Sequence, residues 1–135
     1  MYCTINDLIN DITKQVIIEL VNDENINPED INLTTEDNIY TSRITEQINT
    51  AEEEINGYIL NKVNFPSLAV PKLITIICRD ISIYYLYKRR LILNIPDSIK
   101  NIYMYRISQL KDIALGKISI PVDQQNSYLE NYYAN

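Results

Sequence analysis

Ile44, Ile48, Ala51, Ile55, Tyr58 and Ile59 recur at steps of three and four, which predicts one long helix with a narrow apolar face, entered through a cap at Thr41 or Ser42. Its other face carries Glu46, Glu52, Glu53 and Glu54. Adjacent carboxylates on a helix point in different directions, so these read as a solvated face and not as an acid pair. A second pattern, Leu73, Ile74, Ile76, Ile77, Ile81, Tyr84, Tyr85, Leu86 and Tyr87, leaves little polar face. It predicts a helix from about Pro71 that is surrounded on most sides and forms the centre of the core. A third stripe, Ile99, Tyr103, Ile107, Leu110 and Ala114, starts near Pro96 and ends at Gly116, the residue type that best closes a helix. Pro66 and Pro71 bracket the break between the first two helices.

Ahead of these, Thr4 and Asp7 have the spacing of a helix cap, and Ile5, Leu8, Ile9 and Ile12 follow at helical period. Val16 to Val21 restarts the pattern after a second cap at Thr13, giving two short helices with a bend between them. Asn22 to Asn38 is polar and acidic and reads as a long surface loop with a single turn at Pro28-Glu-Asp30. Asp23, Asn25 and Asn27 alternate as in a calcium loop, but Pro28 stands where the sharp turn needs Gly and Thr34 where a bidentate Glu is needed. Beyond Gly116, Ile118, Ile120 and Val122 alternate with Ser119 and Pro121 as an extended segment, and the chain then presents Tyr128, Leu129, Tyr132 and Tyr133. The expected fold is all-α, a bundle of about four to five helices, with a helical domain over 1–116 and a C-terminal interaction arm over 117–135.

Composition narrows the chemistry. The 135 residues suit one domain with one core. A formal charge of −6, from 12 basic and 18 acidic residues, disfavours generic binding to a phosphate backbone. That sign more often serves plain solubility, and it also suits a channel through which DNA slides without sticking. The chain has no histidine, the commonest general base and metal ligand. Cys3 and Cys78 are too few for a thiolate cage; with no signal peptide they read as reduced thiols of a cytosolic compartment, Cys78 as a small buried hydrophobe. The stretch from Leu73 to Ile95 is broken by Arg79, Asp80 and Lys88-Arg-Arg90, so it does not supply about 20 consecutive apolar residues for a membrane span. With no Gly-rich phosphate loop and no Ser in an elbow motif, no catalytic, cofactor-binding or metal-binding residue is expected, and no cofactor.

Three phrases carry a resemblance: Ala51-Glu-Glu-Glu-Ile-Asn-Gly-Tyr58, Cys78-Arg-Asp-Ile-Ser-Ile-Tyr-Tyr-Leu-Tyr87 and Leu110-Lys-Asp-Ile-Ala-Leu-Gly-Lys117. In this order, and with the opening Met1 to Leu8, they resemble the Mu-like prophage family of small virion proteins, similar to the adaptors that join a phage head to its tail. The resemblance runs to about Pro121, and the Asn22 to Asn38 loop is longer than the short Gly-containing turn of that family. It implies a structural protein of the neck of a phage or prophage-derived particle, a head-tail connector that links capsid to tail, assembled in the bacterial cytoplasm. Its expected partners are the portal protein, a downstream neck or tail-completion protein, and further copies of itself in a ring of roughly twelvefold symmetry around a DNA channel. It also implies packing roles: Gly57 with Tyr58 at a close helix crossing, Asp80 in a buried or interfacial polar pair, and Gly116 at a helix exit.

Candidate interface residues are Lys88, Arg89 and Arg90 at the end of the central helix, and Ile118, Ile120, Val122, Tyr128, Leu129, Tyr132 and Tyr133 in the arm. The tyrosines beside Lys88-Arg-Arg90 also suit a nucleic-acid surface, although cations at a helix C-terminus explain them more simply. The alternative to a connector is therefore a small helical DNA-binding or regulatory protein. A recognition helix should be basic and polar on one face, and the helix after Pro71 is far too apolar for that.

Overall fold

The computed structural model describes residues 1–59, 69–90 and 93–120, and all regular structure among them is helical. The elements in chain order are α1 (Ile5–Ile12), α2 (Lys14–Val21), a single 3-10 turn (Pro28–Asp30), α3 (Ile39–Ile59), α4 (Lys72–Lys88) and α5 (Asp97–Ala114). Thr4 caps α1 in a reciprocal box: its Oγ1 accepts from the Asp7 amide at 3.2 Å, and its own amide donates to the Asp7 carboxylate at 2.7 Å. Thr13 makes the bend between α1 and α2. It stands at φ 78°, a conformation a β-branched residue rarely adopts. The bend is held because its amide closes α1 on the Ile9 carbonyl while its hydroxyl accepts from the Val16 amide to open α2.

α3 starts earlier than the cap expected at Thr41 or Ser42. Asn38 is the cap, its Oδ1 accepting from the amides of Tyr40 and Thr41 at 2.9 Å each. Thr41 is instead buried, with its hydroxyl turned back to the Thr35 carbonyl at 3.0 Å. The loop between α2 and α3 is also less superficial than its polarity suggested. Ile31 and Leu33 point into the core from either side of Asn32, so the loop is pinned by two apolar anchors. The calcium-like trio has other work: Asp23 meets arginines, Asn25 stands at φ 53°, and Asn27 caps the 3-10 turn.

α4 is the centre. It buries Ile74, Ile77, Cys78, Asp80, Ile81, Ser82, Ile83 and Leu86, and packs most extensively on α3, then on α5, with α1 and α2 closing the remaining side. α5 runs antiparallel to α4, because Tyr103 stacks on Tyr84 while Arg106, further along α5, reaches back to Asp80. α5 ends in a full Schellman turn. Gly116 stands at φ 76°, its amide donates to the Ile113 carbonyl at 3.0 Å, and the Lys117 amide donates to the Asp112 carbonyl at 2.8 Å.

The close crossing expected at Gly57 is not present among the described residues. Gly57 is exposed, and nothing lies within 4 Å of the position a Cβ would take. A helical glycine without a packing reason only loses backbone entropy. Gly57→Ala is therefore expected to stabilise the subunit by about 0.5–1 kcal/mol, read as a higher urea midpoint at unchanged slope.

Candidate functional site

The expected interface residues fall into three groups. Lys88 is exposed, its ammonium 5.7 Å from the centroid of the Tyr85 ring. Arg89 and Arg90 turn inward instead. Arg89 donates to the Leu20 carbonyl and to an Asp23 carboxylate oxygen, both at 2.9 Å, and Arg90 donates to the Glu19 carbonyl at 3.0 Å. Arg43 of α3 adds bonds to the Val21 carbonyl at 2.7 Å and to Glu24 at 2.8 Å. Three guanidinium groups thus close on the last turn of α2, whose carbonyls have no partners within their own helix and carry the negative end of its dipole. The hydrogen bond from Arg89, helped by the nearby charges of all three arginines, holds the Asp23 carboxyl below its ordinary value. The clasp joins Asp23 and Glu24, at the start of the acidic loop, to Arg43, Arg89 and Arg90 across the α2 terminus.

Ile118 and Ile120 follow the Schellman turn and pack, half-buried, against the core cluster. The first residues of the expected arm therefore lie on their own subunit. Val122, Tyr128, Leu129, Tyr132 and Tyr133 lie outside the described residues.

Two polar nodes take their partners from distant parts of the chain. Asp80, for which the resemblance implies a polar pair, is buried in α4. Its two oxygens accept from Arg106 Nε at 2.7 Å and from Arg79 Nε at 3.0 Å, with Asp11 of α1 3.8 Å from Arg79. This node ties α1, α4 and α5 together. Glu54, expected on a solvated face, accepts from the hydroxyls of both Tyr85 and Tyr103, the latter at 2.6 Å. Glu52 likewise accepts from the Tyr2 amide, which leaves Glu46 and Glu53 as the exposed acids of that face. No periodicity argument finds such partners, because they come from distant parts of the chain.

Burial, then the hydrogen bond to Glu54, raises the phenol of Tyr103 above its ordinary value, and the same two causes raise Tyr85. The unfolded chain sheds these protons near pH 10 while the folded chain keeps them. The stability they contribute is therefore complete below about pH 10 and declines as pH rises further. Urea unfolding between about pH 8 and 11 is expected to show this decline, and Tyr85→Phe/Tyr103→Phe to make it shallower.

α5 has the least ordinary surface. Of its 18 residues only Leu110 and Ile113 are buried, while Ile102, Met104, Tyr105 and the following Leu115 are 42, 67, 58 and 70% exposed. Ile102 and Tyr105 also line an open groove of about 310 Å³ that reaches Asp11 of α1. The signal for this face was present: these four apolar residues sit off the Ile99, Tyr103, Ile107 and Leu110 stripe. Among the described residues no three of Cys, Asp and Glu converge as metal ligands, and no helix is long and apolar enough to cross a membrane.

The fold and its surfaces define a small helical protein whose internal polar groups serve to fasten one helix to another, with an apolar outer helix face in reserve. The family model described as Bacteriophage Mu, Gp36 matches residues 2–132, and the chain belongs to that family. That family is one of bacteriophage proteins. Among curated proteins none matches the chain.

Proposed function

We propose that this protein is a head-tail connector of the virion neck, assembled in the host cytoplasm. It binds the portal from outside the head, forms a ring of roughly twelvefold symmetry, leaves a channel for DNA, and presents a surface to the next neck or tail-completion protein. The work is multivalent burial of surface, with no catalytic step, cofactor or metal. The observation that carries the reading is α5, an outer helix with three large exposed apolar side chains, Ile102, Met104 and Tyr105, in its first half and a fourth, Leu115, just past its end, on a chain of the Gp36 family. Such a face is what a subunit keeps for a neighbour in an assembly. The acidic balance of the chain suits a DNA channel, and Arg43, Arg79, Arg89, Arg90 and Arg106 are all engaged with carboxylates or carbonyls of their own subunit, which leaves no free arginine among the described residues for a regulator.

Mixing the protein with its cognate portal is expected to shift both species in sedimentation. Ile102→Ser/Tyr105→Ser should keep the melting temperature and lose the shift. The arm is tested by a truncation after Ile120, which spares the two residues that pack on the core. It should keep its helix content and melting temperature while losing incorporation into particles. Failure of the full-length chain to bind portal, at concentrations near those of an infected cell, rejects the connector reading.

A further inference from the structure

Cys3 and Cys78 are 75 residues apart in sequence, yet their Sγ atoms are 3.1 Å apart. Cys3 lies on the short non-helical segment ahead of α1, Cys78 lies in the middle of α4, and they are 2% and 0% exposed. The approach is held from both sides. Next to Cys3, the Tyr2 amide donates to Glu52 and its hydroxyl to Asn56, both on α3, while Cys78 is fixed by the helix that carries it. The Ser82 hydroxyl is 3.9 and 4.0 Å from the two sulfurs, but it donates to the Cys78 carbonyl at 2.7 Å and so gives neither thiol a competing strong partner.

We propose that Cys3 and Cys78 are a modification site, a dithiol that a low-molecular-weight disulfide converts to an intrachain disulfide fastening the N-terminal segment to α4. Bond formation needs the sulfurs to close to about 2.05 Å, a movement of about 1 Å within reach of side-chain rotation. In the closed subunit the Cys3 thiol beside it, and then burial, push the Cys78 thiol well above its ordinary value, so exchange there is slow. Reaction runs through opening of the segment before α1, which has only its own few contacts to lose. Once open, the Cys3 thiolate attacks oxidised glutathione, forming a mixed disulfide and releasing one glutathione thiolate. Cys78, deprotonated in its turn, attacks the Cys3 sulfur and expels the second. Two electrons and two protons pass in total from the protein dithiol to glutathione, which leaves as two thiols. In a reducing compartment the same exchange keeps both thiols free, and the bond forms once the protein meets oxidising surroundings. The inference is independent of the connector reading.

The test is equilibration of the reduced full-length chain with mixtures of oxidised and reduced glutathione, in buffer and in urea. Intact mass should fall by two hydrogens, peptide mapping should join Cys3 to Cys78, and the exchange constant should be about a thousandfold larger in buffer than in urea, as expected for a loop of this length. The oxidised chain should keep its helix content and melt roughly 10 °C higher, a rise absent from Cys3→Ala and Cys78→Ala. Two thiols still titratable under oxidising mixtures, disulfides only between chains or to glutathione, or equal constants in buffer and urea would each overturn the proposal.

Discussion

Asp80→Ala is expected to cost the subunit about 3 kcal/mol, seen as a fall in melting temperature of about 10 °C. The carboxylate is 6% exposed and takes hydrogen bonds from Arg79 and Arg106, whose side chains are themselves largely covered. Removing it leaves Arg106 without its counter-charge and Arg79 with only the more distant Asp11, in a site of reduced dielectric, which costs more than the pair contributes relative to apolar residues. Asp80→Asn should therefore be nearly as damaging, since it keeps shape and loses charge. Asp80→Leu/Arg106→Met should be milder than the sum of its two single changes. If Asp80→Ala melts with the wild type, the node is a surface pairing and not a fastening of α5 to α4.

Ile77→Ala is the second large effect, again about 3 kcal/mol. Ile77 is wholly buried in the central helix, so truncation removes transferred apolar area and leaves a cavity that neighbours on several helices have little freedom to fill. The informative contrast is Ile102→Ala on α5. That side chain is 42% exposed, so its loss should change subunit stability by less than about 0.5 kcal/mol while weakening portal binding if this face is an interface. Equal losses at the two positions would mean that α5 is packed from outside by something belonging to the same subunit.

Much of the architecture was written in local pattern. Thr4 with Asp7, the restart at Thr13, the turn at Pro28, the all-round apolar run after Pro71 and the exit at Gly116 each produced the element expected. The departures have one cause, a partner that lies beyond the reach of periodicity or fails to arrive. Asn38 displaced Thr41 as the cap of α3 because a threonine that finds carbonyl partners in the preceding loop is worth more buried than at a helix start. Glu54 left the solvated face because two tyrosines of α4 and α5 bring hydroxyls to it. Gly57 suggested a crossing, and no described neighbour comes near it.

The candidate surfaces divide the same way. The Lys88-Arg-Arg90 run and the acidic loop were both visible as charge. That Arg89 and Arg90 close on Asp23 and the end of α2 required the fold, because the partners come from a distant stretch of chain. The apolar residues of α5 were visible as letters, but their exposure depends on which side α4 and α3 leave uncovered.

The helices, most of their caps and exits, the central place of the Pro71 segment and the family can all be read from the chain alone, because they depend on period, turn chemistry and short phrases spanning a few residues. Which polar groups meet was left to the packing: Asp80 with Arg79 and Arg106, Glu54 with two tyrosines, three arginines with the α2 terminus, and Cys3 with Cys78. Helical period says which face a residue occupies, whereas a hydrogen bond or a sulfur contact needs two faces brought together at a given height and rotation, and that is set by the packing of the whole core.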